Sequence, residues 1–496
     1  MSSLAHRFPV QPDDRVALIL ADRTVSYGEL GETVGSVRGG FATAGLVAGD
    51  RVMLIAGNSE AFVVNYLACL TAGLVAVPVN PVVPGDELTG EINRCRPKAV
   101  VLDALGANAW EQIDAATAAS IEIVVVCPEQ GPHPLAGSEW VAGVEVEDDD
   151  TAVLLFTSGT AGTPRPAILT HGNLASSIDA VLSLDLPLAG HDHVALAVIP
   201  LFHVFGLNLV VNLGLAIGAT LVLEDHQSPQ RTAALVAEHG VTVVSGPPTL
   251  WSALLADKAI DDRSLATVQF AVSGAAPLDP LVAQAVTERF GTVISEGYGL
   301  TETSGIVSSA LGMEPVFGSV GRLFPGVEVR LLDEQGDDVL IGDSGQVFVR
   351  GPMVSPGYFN DPEATSRTRT DDGWLITGDL AVVDDDGNLA IVDRLKDLII
   401  VSGFNVHPAE IERVLLAHEA IEAAAVVGEP DLQTGERPVA HVVVRSGETL
   451  TDDIIIDYCR SRLARYKAPR RVVFAQQIPT GLGGKVRRNA LAESAD

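Results

Sequence analysis

Short apolar runs alternate with helix-like segments through the first part of the chain. The runs VALIL, RVMLIAG, VAVPVNP and AVVLD predict strands, and helix caps follow several of them, with a capping box at Ser26 and Glu29 and a cap near Asn58. The alternation returns in VALAVIP, TLVLE, VTVVSG and VQFAVSG. Strands that alternate with helices predict an α/β fold with parallel sheets, in which ligands bind near the carboxyl ends of the strands.

The pattern changes after residue 318, where the runs VEVRLLD, GQVFVRGP and VVDDDGNLAIV predict successive strands. The last run contains Asp386-Gly387, a dipeptide typical of hairpin turns. Beyond DRLKDLIIVSGFNV the pattern is again mixed. We therefore expect a large N-terminal domain over residues 1–394, with α/β layers and a β-rich subdomain, and a small α+β C-terminal domain over residues 395–496.

One apolar stretch, VFGLNLVVNLGLAIGATLVL at residues 204–223, has the length of a membrane span. Asn208, Asn212 and Thr220 interrupt it, no basic flank follows it, and Gly218 and Ala219 precede TLVLE as a turn would. We therefore predict a buried helix followed by a strand. Peripheral contact with a membrane stays open.

Composition narrows the classes of partner. The chain has 496 residues, 47% of them hydrophobic, and a net charge of -32, so we expect a globular protein of at least two domains that does not bind nucleic acid. The four cysteines form no CxxC pair, which disfavours a disulfide framework or a thiolate metal site. The N-terminus lacks the apolar core of a signal peptide, and a cytoplasmic location fits.

Charge is unevenly distributed along this acidic chain. Residues 460–496 contain nine Lys or Arg against two acids, Glu493 and Asp496, which predicts a site for an anionic ligand or transition state. The acidic runs at 148–150 and 384–386 lie beside predicted turns and are assigned no chemistry, because such runs are usually solvated surface.

The segment FTSGTAGTPRPAILTHGNL, residues 156–174, contains a loop of glycine and hydroxyl residues directly after a strand. Such a loop can turn successive N–H groups toward one point, which suits phosphate oxygens. It is not a Walker A loop, since Gly484-Lys485 is followed by Val486 and no other match exists. Taken alone, the loop fits a phosphate cradle and a tight surface turn equally well.

Seven segments in order identify a resemblance. FTSGTAGTPRPAILTH, PLFHVFG, SGAAPL, GYGLTET, GWLITGDL, DRLKDLIIVSGFNV and PTGLGGKVRR resemble, respectively, the phosphate loop, gate, adenine, phosphate, ribose, hinge and catalytic-lysine segments of the adenylate-forming superfamily. This superfamily includes acyl-CoA synthetases, luciferases and peptide-synthetase adenylation domains, and the resemblance covers nearly the whole chain. In such enzymes ATP and a carboxylic acid give an acyl-adenylate and pyrophosphate, and a thiol then displaces AMP.

The resemblance implies a binding site for ATP and Mg²⁺. A carboxylate must approach a polyanion, so fixed donors and cations have to face the developing charge. Glu302 and Thr160 would hold Mg²⁺, and Thr301 would contact the α-phosphate. Taken alone, Glu302 would fit an ordinary helix-capping residue. The β- and γ-phosphates would be held by Thr157, Ser158, Gly159, Thr160, Ala161, Gly162, Thr163 and Arg165.

The same resemblance implies an adenosine site. Asp379 would accept both ribose hydroxyls, with Arg394 in support, and Tyr298 would stack on adenine, although core packing is the alternative for that ring. Small residues would let the backbone approach the nucleotide. These residues are Gly274, Ala275, Ala276, Gly297 and Gly299.

Catalysis and motion are assigned in the same way. Lys485 would bridge the carboxylate and the phosphoryl oxygens as a compact point charge, and His203 would stand at the mouth of the acyl pocket. Lys396 would be the hinge about which a mobile C-terminal domain rotates between the two half-reactions. Without the surrounding loop motif, Lys485 would be interpreted as an ordinary surface lysine. Coenzyme A would be bound by Ser402, Gly403, Phe404, Arg465 and Lys467.

The phosphate loop departs from the usual pattern at two places. Ala161 replaces a common threonine, and Arg165-Pro166 replaces a common Lys-Gly. Arginine keeps the cation but with fork geometry, and proline stiffens the loop. We expect ATP binding to survive, whereas closure of the loop and its rate are in doubt.

The acid is expected to be apolar. The segment HVFGLNLVV offers no aspartate to pair with a substrate ammonium, whose burial unpaired would cost several kcal/mol. A fatty acid is the first choice, and an aryl acid stays open. Coenzyme A is the expected acceptor. The alternative functions are an acyl-AMP ligase that loads a carrier protein and a nucleotide sensor. Assembly into a homodimer stays open. The expected pocket walls are Phe205, Leu207, Val243, Gly246, Pro247 and Pro248.

Overall fold

A computed structural model describes residues 4, 13–129, 131–157, 164–188, 192–224, 228–402, 404–431, 433–480 and 486–493. The chain divides into two compact units, the first made of Met1–Glu328 and Val349–Leu375 and the second of Val329–Phe348 and Ile376–Asp496. The predicted domain boundary between residues 394 and 395 stays a prediction.

The first unit is a mixed α/β structure. Its strands are β1 (Val16–Ile19), β2 (Thr24–Ser26), β3 (Arg51–Ile55), β4 (Val75–Val79), β5 (Ala99–Leu102), β6 (Ile123–Val126), β7 (Thr151–Thr157), β8 (Arg165–Thr170), β9 (Val194–Ala197), β10 (Thr220–Leu223), β11 (Val243–Gly246), β12 (Phe270–Ser273), β13 (Ile294–Tyr298), β14 (Ser308–Ser309) and β15 (Arg322–Leu323). Its α-helices are α1 (Tyr27–Thr43), α2 (Glu60–Thr71), α3 (Gly85–Cys95), α4 (Ala104–Trp110), α5 (Ala115–Ala119), α6 (His171–Leu182), α7 (Leu213–Ala216), α8 (Pro229–His239), α9 (Pro248–Ala256), α10 (Pro280–Phe290) and α11 (Pro362–Thr368). A π-helix spans Phe205–Asn212 and a 3-10 helix spans Thr301–Thr303.

Two largely parallel sheets form this unit. The nine-stranded sheet has the order β15-β14-β13-β12-β11-β9-β10-β1-β2 and is parallel from β13 to β1, whereas the strands at both ends run antiparallel. The six-stranded sheet has the order β6-β5-β3-β4-β7-β8, and only β7 and β8 pair antiparallel. The predicted α/β fold with parallel sheets is confirmed.

Alternating side chains place helices on both faces of each sheet. On β3, Val52 and Leu54 join a core with α1, α2, α6 and the π-helix, whereas Met53 and Ile55 pack with α3 and α4. The nine-stranded sheet contributes to the same central core, and on its other face Leu196 of β9 packs with α8, α9 and α10. The unit therefore has five layers, with helices between and outside the two sheets.

The predicted helix starts are close to those observed. Ser26 and Glu29 form the capping box of α1, since the Ser26 side chain accepts from the Glu29 N–H and the Glu29 carboxylate accepts from the Ser26 N–H. Helix α2 begins one residue after the predicted cap, because Ser59 accepts from Phe62 N–H. Asn58 instead donates to the carbonyls of Ala197, the last residue of β9, and of Ile199 just after it, and so connects the two sheets.

The apolar stretch at 204–223 is buried, as expected. It forms the π-helix, α7 and β10, and Gly218 turns the chain between them with a φ of +72°. Within the described parts of the chain, no helix is both long and apolar enough to cross a bilayer.

The remaining elements continue from residue 328. The strands are β16 (Glu328–Leu332), β17 (Gly345–Arg350), β18 (Leu375–Val383), β19 (Leu389–Arg394), β20 (Ile399–Val401), β21 (Phe404–Val406), β22 (Ile421–Asp431), β23 (Gly435–Val444) and β24 (Arg471–Phe474). The helices are a 3-10 helix at Leu395–Asp397, α12 (Pro408–Leu416), α13 (Asp452–Arg460) and α14 (Arg488–Glu493).

These strands form two sheets. Strands β16 to β19 make a four-stranded sheet in sequence order, which confirms the β-rich segment. The hairpin between β18 and β19 turns at the predicted place, where the Asp384 carboxylate accepts from Asp386 N–H and Asn388 N–H. The second sheet has the order β21-β20-β23-β22, with β24 parallel to β23, and α12 and α13 pack on its apolar core.

Candidate active site

Glu302 lies on a tight turn at the carboxyl end of β13. The 3-10 helix holds it there, because Leu300 N–H donates to Thr303 Oγ1 over 2.9 Å and Ser355 N–H donates to the Glu302 carbonyl over 2.8 Å. Gly299 is required before the turn, since a Cβ at this position would lie 2.2 Å from the Gly305 carbonyl oxygen. Thr301, predicted to contact the α-phosphate, belongs to the same short helix.

The Glu302 carboxylate is half-buried and accepts a 2.6 Å hydrogen bond at Oε1 from the Tyr358 hydroxyl. Burial raises the pKa of Tyr358 above its ordinary range, and the charge of Glu302 and its hydrogen bond raise it further. The phenol therefore stays protonated and acts as a hydrogen-bond donor. No Lys, Arg or His in the described part of the chain forms an ion pair with Glu302. A carboxylate held by a neutral donor and left without a countercharge is a suitable Mg²⁺ ligand.

Thr157 and Arg165 face each other across the ends of the predicted phosphate loop, as antiparallel partners on β7 and β8. The Thr157 Oγ1 atom is buried and has no hydrogen-bond partner among described residues, and its phosphate role stays a prediction. Arg165 Nε contacts Asp361 Oδ2 over 3.0 Å. The predicted residues Ser158, Gly159, Thr160, Ala161, Gly162 and Thr163 lie outside the described residues.

The segment around Tyr358 pairs with β8 through backbone hydrogen bonds. Ile168 N–H donates to the Gly357 carbonyl over 2.9 Å, and Phe359 N–H donates to the Pro166 carbonyl over 2.8 Å. This pairing brings Tyr358 to Glu302 and Asp361 to Arg165. Sequence reasoning missed both partners, although Asp361-Pro362 has the form of a helix start and does cap α11.

Two of the residues predicted around adenine, Gly274 and Gly297, lie side by side. Parallel pairing of β12 with β13 extends to Ser273 and Glu296, and Gly274 and Gly297 directly follow this pair. A Cβ on Gly274 would lie 3.2 Å from the Phe205 ring and 3.5 Å from the Gly297 carbonyl oxygen. Ala275 has a left-handed φ of 70°.

Glu296, which sequence reasoning did not select, supports the loop after β12. Its Oε2 accepts from Leu278 N–H over 3.2 Å. Burial raises the pKa of Glu296 to about 7, with the Leu278 N–H acting in the opposite direction. The carboxyl group is therefore part of the support of this loop and can be neutral near physiological pH.

His203 and the residues expected to line the acyl pocket lie in different parts of the fold. His203 is half-buried, its Nδ1 accepts from Phe205 N–H over 3.2 Å, and burial lowers the pKa of its ring. Gly246, Pro247 and Pro248 lie at the carboxyl end of β11, next to β12. Two expected walls lie elsewhere: Val243 is at the amino end of β11, and Leu207 is fully buried in the central core. An apolar run alone does not tell which end of a strand faces a ligand.

In the second unit, Asp379 and Arg394 face each other on β18 and β19. Arg394 Nε lies 2.9 Å from Asp379 Oδ1, and the Asp379 side chain is only 3% exposed. Asp379 N–H also donates to Thr377 Oγ1 over 3.0 Å. The guanidinium therefore supports the carboxylate as expected, and the ribose role stays a prediction.

The predicted coenzyme A residues fall on the C-terminal sheet and its surroundings. Phe404 is 56% exposed and stacks on Tyr466 with a centroid separation of 4.8 Å. Ser402 adopts a left-handed φ of 52°. Lys396 lies in the 3-10 helix Leu395–Asp397, and its side chain, like Gly403 and Lys485, lies outside the described residues. The roles of all these residues stay predictions.

Five of the nine cations of the basic tail form ion pairs with acids of their own unit. Lys467 Nζ lies 2.6 Å from Glu410, Arg471 lies 2.8 Å from Glu429, and Arg488 lies 2.8 Å from Glu412. Arg460 and Arg470 also pair with nearby acids. Among described residues Arg465 forms no ion pair. The expected positive potential is therefore smaller than the count of cations indicated.

Metal-binding capacity is limited in the described parts of the chain. No three His, Cys, Asp or Glu side chains cluster there as a metal site. A single carboxylate is nevertheless enough where the ligand's phosphates complete the coordination of Mg²⁺. Glu302 fits that arrangement, whereas Thr160, the other predicted ligand, lies outside the described residues.

Comparison with known proteins covers nearly the whole chain. The family model described as AMP-binding enzyme matches residues 4–359, and that of the AMP-binding enzyme C-terminal domain matches residues 410–485. 4-Coumarate–CoA ligase 2 of Nicotiana tabacum is 32% identical, over 94% of this chain and 88% of the relative. Long-chain-fatty-acid–CoA ligase of Salmonella typhimurium is also 32% identical, over 91% and 86%. ATP-bound MatB from Rhodopseudomonas palustris superposes with a TM-score of 0.93 at 33% identity, over 99% and 98%.

Proposed function

The chain belongs to the AMP-binding enzyme family of adenylate-forming CoA ligases, which use ATP and coenzyme A, and we propose that it activates an apolar carboxylic acid. A fatty acid is our first candidate. An aryl acid is the second, because the 4-coumarate and long-chain-fatty-acid ligases are equally similar to this chain.

The lack of charged side chains in the apolar stretch at residues 204–223 is the observation that supports this proposal. Between residues 204 and 223 the only polar side chains are Asn208, Asn212 and Thr220, and the two asparagines are fully buried in hydrogen bonds to the protein itself. None of them can neutralise a substrate ammonium or a second carboxylate. Burying such a charge without a partner would cost several kcal/mol, so the segment favours an apolar acid.

In the first half-reaction the acid's carboxylate oxygen attacks the α-phosphorus of ATP, and pyrophosphate leaves with the electron pair of the broken P–O bond. We assign the β- and γ-phosphates to Thr157, Arg165 and the loop between them, and the α-phosphate to Thr301. Glu302 would hold Mg²⁺, which neutralises part of the phosphate charge. Asp379, supported by Arg394, would position the ribose.

In the second half-reaction the thiol sulfur of coenzyme A attacks the acyl carbon, and AMP leaves. We assign the phosphoryl contact in the first step to Lys485 and the hinge between the steps to Lys396. Coenzyme A would meet Ser402, Gly403, Phe404, Arg465 and Lys467. Since Lys467 already pairs with Glu410, Arg465 is the stronger candidate for its phosphates.

The experiment is a panel of fatty and aryl acids with ATP, magnesium and coenzyme A, with AMP release and pyrophosphate exchange as readouts. We expect exchange that depends on an apolar acid and AMP release that depends on coenzyme A. An amino acid or a dicarboxylate that outperforms every apolar acid would contradict the substrate proposal. Transfer to a carrier protein but not to coenzyme A would contradict the acceptor.

A further inference from the structure

The turn that carries Glu302 ends in a strained conformation. Ser304 follows the 3-10 helix with φ 54° and ψ 26°, in the left-handed region that residues other than glycine seldom adopt. Gly305 continues the turn with φ 94°. Such a conformation persists only where the surrounding structure fixes it.

Buried hydrogen bonds supply that fixation. The Ser304 carbonyl accepts from Asn208 Nδ2 over 2.9 Å and from Ser177 Oγ over 3.2 Å. The Ser304 hydroxyl donates to the Met353 carbonyl over 2.9 Å. Ser304 itself is fully buried, so these bonds have no competition from bulk water.

Asn208 is oriented for this contact from its other side. Its Oδ1 accepts from Asn212 Nδ2 over 3.0 Å, and Asn212 Nδ2 also contacts the Tyr66 hydroxyl over 2.9 Å. With Oδ1 engaged by a donor, the amide must present Nδ2 toward Ser304. Fully buried asparagines in an apolar core are unfavourable unless they are hydrogen-bonded, and these three bonds give both side chains partners.

The helix that carries Asn208 also contacts the adenine side of the site. It is a π-helix, a form that occurs frequently at functional sites, and it follows directly after His203. Its first residue, Phe205, lies against Gly274, where an added Cβ would be 3.2 Å from the ring. One rigid segment therefore contacts both the loop after β12 and the turn that carries Glu302.

We propose that Asn208 is a positioning residue, which fixes the Thr301–Glu302 turn against the π-helix Phe205–Asn212 so that Glu302 meets the magnesium ion of bound ATP. The inference deepens the proposed function and rests on it. According to this inference, the fully buried amide of Asn208 controls the affinity for ATP with magnesium from outside the binding site.

The test compares Asn208→Leu with Asn65→Leu. Asn65 is also fully buried in the first unit, but it donates to Ala61 of its own helix and contacts Cys127 and His133. Both variants should lose a similar amount of Tm, because each leaves polar partners unpaired. Calorimetric titration with ATP and magnesium, without any acid, should give a dissociation constant about tenfold higher for Asn208→Leu and unchanged for Asn65→Leu.

A second readout separates positioning from general damage. Without magnesium, Asn208→Leu should lose much less ATP affinity than it loses with magnesium, because the metal contact of Glu302 then contributes nothing and only the Thr301 contact is affected. If Asn208→Leu does not fold, Asn208→Ser gives the same test with a side chain too short to reach Ser304. Wild-type affinity in the variant that folds, or an equal loss with and without magnesium, would overturn the inference.

Failure of the proposed function would look different. Wild-type protein that binds magnesium ATP but exchanges no pyrophosphate with any acid would contradict that function. The calorimetric comparison needs no acid, and it would still decide the role of Asn208.

Discussion

Tyr358 donates its hydroxyl hydrogen to Glu302 across 56 residues of sequence, over 2.6 Å. The bond joins the segment paired with β8 to the turn after β13, and so connects the phosphate side of the site to its expected metal ligand. Because burial and the adjacent carboxylate raise the pKa of Tyr358, the phenol does not ionise in the physiological range. The hydroxyl therefore remains a donor that orients the Glu302 carboxylate.

Tyr358→Phe should weaken the magnesium dependence of pyrophosphate exchange. Loss of a hydrogen bond to a charged group is worth roughly 1.5–3 kcal/mol, so we expect about a tenfold rise in the magnesium concentration for half-maximal exchange. The matched control is Tyr27→Phe, which removes a 2.7 Å bond to the Ala219 carbonyl away from the site. An unchanged magnesium dependence in Tyr358→Phe would show that the bond does not position Glu302.

Asp379→Asn should impair both ATP binding and stability. It removes the negative charge from a carboxylate that is 3% exposed and paired with Arg394, which is 28% exposed, so we expect a loss of about 2 kcal/mol in the free energy of unfolding. The double variant Asp379→Asn with Arg394→Met should regain much of this stability, because no unpaired cation remains. Its KM for ATP should stay raised. If nucleotide affinity returned with stability, the ribose assignment would be wrong.

Stability should depend on pH through Glu296. Burial raises the pKa of Glu296 to about 7, whereas the unfolded chain has the ordinary value of 4.5. Between these values the folded state holds one more proton, so the contribution of Glu296 to the free energy of unfolding falls as pH rises and is constant above about 7. Because the group is partly solvated, we expect the change to be about 1–2 kcal/mol.

Glu296→Gln isolates this effect. Relative to the wild type, the variant should gain stability between pH 5 and pH 8, measured by urea unfolding at both values. A wild-type minus variant difference that is the same at both pH values would mean that Glu296 titrates normally.

The expected roles of the hinge residue Lys396 and the catalytic residue Lys485 can be distinguished by measuring the two half-reactions separately. Proline at position 396 would fix φ near -65°, so Lys396→Pro should keep adenylation and lose thioester formation. Lys485→Ala should lose adenylation and keep the attack of coenzyme A on supplied acyl-AMP. Pyrophosphate exchange and thioester formation are measured separately in both variants. Equal damage to the two steps in each variant would contradict both assignments.

The local sequence pattern was sufficient to predict much of this fold. The strands that surround the site and the capping box of α1 depend on side chains within a few residues of each other, and the alternation of apolar runs predicted them. The π-helix was predicted only as a buried helix, because two asparagines in an otherwise apolar segment do not distinguish one helix type from another.

Contacts between distant segments could not be predicted in this way. Tyr358 reaches Glu302, and Asp361 reaches Arg165, only because residues 357–359 pair with β8 in a particular register. The ion pairs of the basic tail could not be predicted for the same reason. Glu410, Glu412 and Glu429 lie well before it in sequence and meet its cations only after folding.

Under the proposed function, the π-helix at Phe205–Asn212 would restrict how the acid preference can change during evolution or redesign. Each residue of an α-helix turns the chain by about 100°, so a deletion that converted this segment to regular helix would rotate Asn208 away from Ser304. An insertion would displace Phe205 from the glycine loop in the same manner. New substrates should therefore arise by exchange of side chains at fixed length, and libraries that vary the length of this segment should yield few active enzymes.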